Sequence, residues 1–362
     1  MSEVLDLPTT RQEGWRWADM ATLEAAATSA PASPAIDPKT LFLDTLDGPR
    51  LTFIDGIFEP AHSRPGPVQV TAIGEATEHP LGRRAAGEGW LLSLDKGAAV
   101  PGIQIVHVGS GGENHVPARI ELGEDATASV TETFAGSGWA NRLTQIVLAR
   151  GSRLMRSVRL LQTDGFVSIR DEATVAQAAS LVSVFLGAGG MGSRIDGEIR
   201  LAGEGAYGEM GGALLTRGSQ KQEAAVVLRH AEPDGTSRQV WRAVAADMST
   251  ASLAARAEVA RDAQRTDGEQ SLRGLLLNRS ATVNLKPELE IFADDVKCAH
   301  GATVGELDER ALFYLQSRGL PPARARALLT HAFVGDALDR IGEEAVREAF
   351  AADADTWLEE AL

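Results

Sequence analysis

The stretch Ile120-Glu121-Leu122-Gly123-Glu124-Asp125-Ala126 holds the pattern that decides the fold class. A short strand with alternating apolar residues is followed by a tight polar turn and then by a small residue. Four later stretches between residues 100 and 300 repeat this pattern. The strands are Ile146-Val147-Leu148, Val167-Ser168-Ile169, Ile199-Arg200-Leu201 and Leu275-Leu276-Leu277, and the small residues that follow them are, in the same order, Ser152, Ala173, Ala206 and Ala281.

The spacing of these strands favours a repeat architecture. Leu122, Leu148, Ile169 and Leu201 are 26, 21 and 32 residues apart, which is within the range of repeat proteins. No amphipathic segment of helix length separates the strands, so alternating strands and helices are disfavoured. The 37 glycines and the low aromatic content of 5% suit stacked rungs with sharp corners. We therefore predict a parallel β-helix over residues 40–305, ahead of a β-sandwich.

The flanking segments have a different character. Residues 1–39 predict an N-terminal helix and a linker, with a capping box at Thr10-Arg11-Gln12-Glu13 and prolines at 31, 34 and 38. Strands are predicted at Leu41-Phe42-Leu43 and Leu51-Thr52-Phe53-Ile54, with turns at Asp47-Gly48-Pro49 and Asp55-Gly56.

Residues 306–362 predict a C-terminal helical domain. Asp308 is suited to cap a first helix, Gly319 to end it, and Pro321-Pro322 to open the second helix. A last helix is expected over residues 343–360, with an apolar face made of Val346, Phe350, Trp357 and Leu358.

Composition excludes several classes of protein. The formal net charge of −15 argues against a nucleic-acid binder, because few phosphates could be neutralised. One cysteine allows no internal disulfide and no cluster of cysteine ligands. The longest uncharged run, residues 173–193, contains four glycines and several polar residues, so no membrane span is predicted. Residues 1–19 lack the apolar centre of a signal peptide, which predicts a cytoplasmic protein.

Short enzyme motifs give little support for catalysis. Gly187-Ala188-Gly189-Gly190-Met191-Gly192 matches the dinucleotide-binding pattern, but a strand rather than a helix is predicted after it, which favours a structural turn. No lysine follows a glycine, so no phosphate-binding Walker A loop is present in the sequence. Neither GxSxG nor HExxH occurs.

Cys298 and His300 form the densest chemical constellation. Two residues apart on a strand, they are expected on one face, where a thiolate and an imidazole suit iron or zinc. Two ligands do not complete a tetrahedral site, so further ligands would have to come from a partner or from sulfide. From spacing alone, a buried free cysteine beside a hydrogen-bonded histidine is the simpler interpretation.

The sequence also resembles the SufB/SufD family of the SUF iron–sulfur cluster assembly machinery. The resemblance is strong over about 262–341 and rests on residues 262–267, 275–277, 286–305 and 312–319. Leu7-Pro8 and Arg11-Gln12-Glu13-Gly14-Trp15-Arg16-Trp17 are similar to the start of the SufD branch. SufB members carry more cysteines and a His-Glu pair where this chain has His300-Gly301, which favours the SufD branch.

The resemblance implies a right-handed parallel β-helix and a non-enzymatic scaffold. It implies pairing with a SufB-like subunit along the β-helix and binding of a SufC-like ATPase by the C-terminal helices; a homodimer of the isolated chain is compatible with it. His300 then corresponds to the histidine that acts at the SufB interface, as a transient metal ligand, and Cys298 to its neighbour of less defined role. A cluster is expected only transiently there, with no cofactor held stably by the isolated chain. The alternative is a free-standing β-helix enzyme acting on a carbohydrate or acyl substrate, although no carboxylate pair is apparent.

Overall fold

The computed structural model describes residues 7–32, 36–74 and 77–361. The predicted flanking segments include residues outside these ranges, namely the first six residues, Pro34 and Leu362. The helices are α1 (Met20–Ala27), α2 (Glu309–Ser317), α3 (Pro322–Leu338) and α4 (Glu344–Ala361). The first nine strands are β1 (Arg50–Ile54), β2 (Ile57–Phe58), β3 (Gln69–Ile73), β4 (Gly87–Leu94), β5 (Ala99–His115), β6 (Ala118–Leu122), β7 (Thr127–Leu148), β8 (Arg153–Leu160) and β9 (Phe166–Val175). The next nine are β10 (Ser180–Gly187), β11 (Gly192–Leu201), β12 (Tyr207–Thr216), β13 (Lys221–His230), β14 (Thr236–Ala245), β15 (Thr250–Val259), β16 (Thr266–Leu276), β17 (Thr282–Ile291) and β18 (Val296–Gly305).

These strands form a parallel β-solenoid, which confirms the predicted fold class. One stack runs from β1 through β5, the first part of β7, β8 and the even-numbered strands β10 to β18. The other runs from β4 through β6, the second part of β7 and the odd-numbered strands β9 to β17. Apolar side chains from both stacks fill the lumen between them.

The two ends of the solenoid differ. At the N-terminal end, β2 pairs antiparallel with β1 and β3 pairs antiparallel with β4. At the other end, β17 pairs with β15 and β18 pairs with β16, and no further strand follows within the described residues. The C-terminal end therefore presents two strand edges and an open lumen.

The register corrects one of the predicted rungs. Leu122, Leu148, Val175 and Leu201 occupy one ladder, whereas Ile169 lies inside β9 opposite Ile195. The corresponding corner uses Ala178 at φ 53°, where the sequence offers no glycine to mark the turn. The small residues after the turns are then Ala126, Ser152, Ala179 and Ala206, all at most 1% exposed.

The N-terminal predictions were partly wrong. Thr10 does not cap a helix: a short 3-10 turn spans Glu13–Trp15, and Asp19 caps α1 through the Thr22 N–H. The Glu13 carboxylate instead accepts a hydrogen bond from Lys286 at 2.7 Å. Leu41-Phe42-Leu43 is not a strand, because the side chain of Gln104 accepts the Leu43 N–H at 2.7 Å in place of a strand neighbour. The strand prediction at 51–54 is confirmed by β1.

The C-terminal helices follow the sequence closely. Asp308 caps α2, Gly319 has φ +92° after it, and Pro322 opens α3. The apolar face predicted for the last helix is buried against the even-numbered strand stack, beside Leu186 and Leu215. Arg242–Asp336 and Arg340–Glu209 ion pairs join α3 and the residues after it to the solenoid. None of the described helices is long and apolar enough to cross a membrane.

Candidate functional site

Cys298 and His300 lie on β18, the last strand of its stack. In register, Cys298 is opposite Gly268 and His300 is opposite Gln270. Both β16 residues are buried and face the lumen, so the two β18 side chains share the lumen-facing side of their strand, as their spacing predicts. The open end leaves His300 exposed and Cys298 partly exposed.

Cys298 has an apolar environment. It packs against the cluster of Val259, Ala263 and Ala293. Burial raises the pKa of its thiol, although a backbone hydrogen bond from Gly268 acts in the opposite direction. The thiol is therefore held in its protonated form, which is a weaker nucleophile and metal ligand than a thiolate.

His300 is free to meet another molecule. It forms no hydrogen bond or ion pair with the residues that the structure describes. Exposed apolar side chains lie on the same end of the molecule, namely Ile291 (37% exposed), Phe292 (61%) and Val304 (44%). An exposed histidine beside unpaired strand edges and apolar residues is suited to an interface rather than to a closed pocket.

The described residues contain no group of three or more His, Cys, Asp and Glu side chains that could hold a metal ion. Cys298 and His300 therefore provide two donors at most. Iron–sulfur chemistry accepts mixed cysteine and histidine ligation. Any metal at this end needs its remaining ligands from another molecule or from sulfide.

Sequence reasoning missed a buried ionic network in the lumen. Glu132 lies between Arg142 and Arg156, and Arg156 also pairs with Asp171. Burial opposes ionisation of Glu132, yet the two guanidinium groups hold its pKa well below its ordinary value. Burial, reinforced by Arg142, lowers the pKa of the adjacent His107 to about 4, so that imidazole is neutral. Part of the signal was available: Glu132 stands between Val130 and Phe134 at an alternate, otherwise apolar position of β7.

A second charged cluster fastens the N-terminal segment to the outside of the solenoid. The Arg194 guanidinium lies 3.8 Å from the centroid of the Trp15 ring and donates to Gly14 O at 2.7 Å. It also pairs with Asp196 and Glu223, each at 2.6 Å. Burial raises the pKa of Glu223 to about 7, because Arg194 only partly offsets it and Asp196 adds to it. Trp15 is thus a packing residue.

The glycine motif at 187–192 is a corner. Gly187 ends β10, Gly192 begins β11 and Gly190 has φ +74°. A Cβ at Gly189 would lie 2.3 Å from the Gln162 carbonyl oxygen, so close packing of neighbouring corners requires glycine there. Strand β11, not a helix, follows the motif, so the motif offers no helix N-terminus to a pyrophosphate, and the prediction of a structural turn is confirmed.

Comparison with known proteins supplies the family. Residues 108–333 match the model described as SUF system FeS cluster assembly, SufBD core domain. The chain belongs to this SufBD family. The match covers more than half of the chain and extends well before the stretch in which the sequence resemblance is strongest.

Similar curated proteins point to the SufD branch of the family. "Iron-sulfur cluster assembly protein SufD" of Escherichia coli is 26% identical over 94% of this chain and 87% of its own length. "Protein ABCI7, chloroplastic" of Arabidopsis thaliana is 32% identical over 62% of this chain, which spans about half (49%) of that protein. A SufBD family protein of Mycobacterium tuberculosis is 28% identical over 71% of this chain and 67% of its own length. The chain is a SufD-type scaffold subunit of SUF iron–sulfur cluster assembly.

Proposed function

We propose that this SufBD family member is a non-enzymatic cytoplasmic scaffold that presents His300, with Cys298 in a lesser role, to an iron–sulfur cluster forming against a SufB-like subunit. The observation that carries the proposal is the position of His300. It faces the open lumen at the last strand, exposed and without a partner among the described residues.

The strand edges support pairing with the SufB-like subunit along the solenoid. Backbone groups on the outer edges of β17 and β18 have no strand neighbour within the described residues. Edge strands of this kind add a strand from another molecule, and the exposed Phe292 and Val304 provide apolar surface beside them. The partner would then supply the ligands that Cys298 and His300 lack.

The C-terminal segment 306–362 supports docking of a SufC-like ATPase. Its inner face is fixed to the solenoid, whereas α2 has no buried residue. Phe313 (74% exposed), Tyr314 (57%) and Leu328 of α3 (44%) are large apolar residues on its outer side. Such residues are unusual on a monomer surface and suit a protein interface.

No observation favours the alternative of a carbohydrate enzyme. The groove over the odd-numbered strand stack is lined by Glu172 and Glu198, the type of carboxylate that such an enzyme needs. Both side chains pair with Arg170, at 2.9 and 2.7 Å. Ion-paired carboxylates held by one arginine are poorly placed to act as separate acid and base.

Anaerobic reconstitution tests the scaffold proposal. With iron and sulfide, the isolated chain should retain little iron and show no sulfide-to-iron charge-transfer absorption. The complex with SufB-like and SufC-like partners should build a cluster under the same conditions. A stable, stoichiometric cluster on the isolated chain would contradict the proposal.

ATPase docking needs surface variants rather than deletion of the helices, because deletion would expose the buried Leu186 and Leu215. Phe313→Ala combined with Tyr314→Ala should weaken SufC-like binding at least about tenfold in titration calorimetry, as expected for two aromatic anchors. Met248→Ala, which truncates a residue 74% exposed on a solenoid corner, is the control. Equal affinities for both variants and the unaltered chain would rule out this surface.

A further inference from the structure

A column of polar side chains leads through the lumen to His300. Gln239 of β14 is opposite Gln270 of β16, which is opposite His300 of β18. Gln239 is 0% exposed and Gln270 is 2% exposed, so both amides are inside the solenoid. Neighbouring members of such a column stand about 4.8 Å apart, within reach of one another.

Both glutamines make the same hydrogen bond across the lumen. Gln239 Nε2 donates to Arg256 O at 3.0 Å, and Gln270 Nε2 donates to Glu288 O at 3.2 Å. Because a backbone carbonyl can only accept, this bond fixes which end of each amide is nitrogen. The two Oε1 atoms are then the free ends of the amides.

Each Oε1 is buried and accepts no hydrogen bond from the described residues. A buried acceptor without a donor costs about 1–3 kcal/mol, so a donor is expected to meet it. For Gln270, the column neighbour on the inner side is Gln239, whose Nε2 donates one N–H to Arg256 O; its other N–H does not reach Gln270 Oε1, which accepts from no described residue. The neighbour on the outer side is His300, whose ring has no partner among the described residues.

We propose that Gln270 is a positioning residue for His300. Its Oε1 accepts the N–H of one ring nitrogen of His300, which turns toward it by rotation of its side chain. This contact selects one neutral tautomer and leaves the other ring nitrogen, with its lone pair, directed at the open end. Orientation of a ligand histidine by a hydrogen bond to its second nitrogen is a general feature of metal sites. The inference rests on the proposed function in one respect only: the proposed function supplies the cluster that the second ring nitrogen would bind.

Gln239 provides a matched control within the same column. It has the same burial, the same hydrogen bond across the lumen and the same free Oε1, but it is not next to His300. Gln270→Met and Gln239→Met should each lose one buried hydrogen bond and lower the melting temperature to a similar extent. A purely structural role for the glutamines predicts nothing beyond that.

The test is nuclear magnetic resonance of the full chain with ¹⁵N-labelled histidine, at a pH about two units above the pKa of free histidine. His300→Ala assigns the signal. In the unaltered chain and in Gln239→Met, the tautomer ratio of His300 should differ from that of free histidine by about fivefold, for a hydrogen bond near 1 kcal/mol. In Gln270→Met, or in Gln270→Leu should the first variant not fold, the ratio should return to that of free histidine. An unchanged tautomer ratio would overturn the proposal.

Measurement of cluster formation distinguishes a failure of this inference from a failure of the proposed function. In the complex with both partners, acid-labile sulfide should fall several-fold for Gln270→Met and stay unchanged for Gln239→Met. If the tautomer preference is lost but sulfide is unaffected, Gln270 does position His300 and the cluster role of His300 is wrong. If sulfide falls equally in both variants, the glutamines act through stability, and the positioning role is overturned.

Discussion

The lumen beside β7–β9 and the lumen at β14–β18 both contain polar side chains. In the first region these side chains form ion pairs with one another, whereas in the second some of their acceptors have no donor. In the first region, Glu132, Arg142 and Arg156 are 0% exposed, and Glu132 and Asp171 together balance the two guanidinium groups. In the second region, the polar groups are uncharged amides with free acceptors, and the column ends at an exposed histidine. The same strand geometry thus supports a closed network that holds the fold and an open end that can take part in chemistry. Whether the lumen is closed or open at that point determines which of these two roles its polar side chains have.

The closed network should give the largest stability effect. Glu132→Gln removes the carboxylate shared by Arg142 and Arg156 and leaves two buried guanidinium groups with Asp171 alone. Loss of one partner of a buried ion pair costs about 3–5 kcal/mol. The free energy of unfolding in urea measures it.

Glu121→Gln is the control for this change, because its pair with Arg119 is roughly half exposed (49% and 41%). Exposed pairs of this kind contribute at most about 1 kcal/mol. Similar unfolding midpoints for the two variants would show that the lumen network is not a major source of stability.

The sequence predicted the solenoid because its signature is local. A strand, a tight turn and a small buried residue are set by neighbours along the chain, and Ala126 and Ser152 occupy the places expected of them. The register was harder to predict. Several positions in each buried strand are apolar, so Ile169 fits the pattern as well as Val175 does, and only the paired strand distinguishes them.

The candidate site could also be predicted only in part, because some of its features are local in sequence and others are not. Spacing alone places Cys298 and His300 on one face, but their position at the open end depends on how many rungs precede them. The Gln270 column and the Glu13–Lys286 contact join residues far apart in sequence. Contacts of that kind leave no local pattern in a single chain.

A smaller, pH-dependent effect is expected outside the lumen, at Glu223. The ordinary pKa of its carboxyl is 4.5, and in the folded chain it is about 7. The unfolded chain therefore loses its proton first, and stability falls as pH rises from about 4.5 to about 7. Glu223→Gln removes this loss, so the variant should match the unaltered chain below pH 4.5 and exceed it by about 1–3 kcal/mol above pH 7.

Thermal unfolding across this pH range measures the difference. Arg194 and Asp196, with His79 hydrogen-bonded to Asp196, stay in place in the variant. Burial opposes ionisation of Asp196, but Arg194 and His79 hold its pKa at about 2, so it remains ionised throughout. A constant difference between the two proteins from pH 4.5 to pH 8 would show that Glu223 does not titrate in this window.

At the open end, a substitution of His300 should reduce cluster formation much more than it reduces stability. His300→Ala removes an exposed side chain whose one proposed contact is the hydrogen bond to Gln270, so the free energy of unfolding should change by about 1 kcal/mol or less. Cluster formation in the assembled complex should fall by about tenfold or more, the upper range for loss of a metal-orienting or metal-binding group. Lys297→Ala, an exposed neighbour on the other face of β18, should change neither. Reduced complex yield with normal sulfide per complex would instead make His300 a packing residue.

Cys298→Ala should have the smallest effect. The thiol packs against Val259, Ala263 and Ala293, but the side chain is only partly buried, so replacing sulfur by hydrogen should cost about 1 kcal/mol or less. Because burial raises the pKa of the thiol, little thiolate is available to ligate iron or to accept sulfur. Acid-labile sulfide per complex should therefore remain within about twofold of the unaltered chain, well above the level for His300→Ala. A loss as large as that of His300→Ala would mean that the partner lowers the pKa of Cys298 on docking, and the two β18 residues would then act as equal ligands.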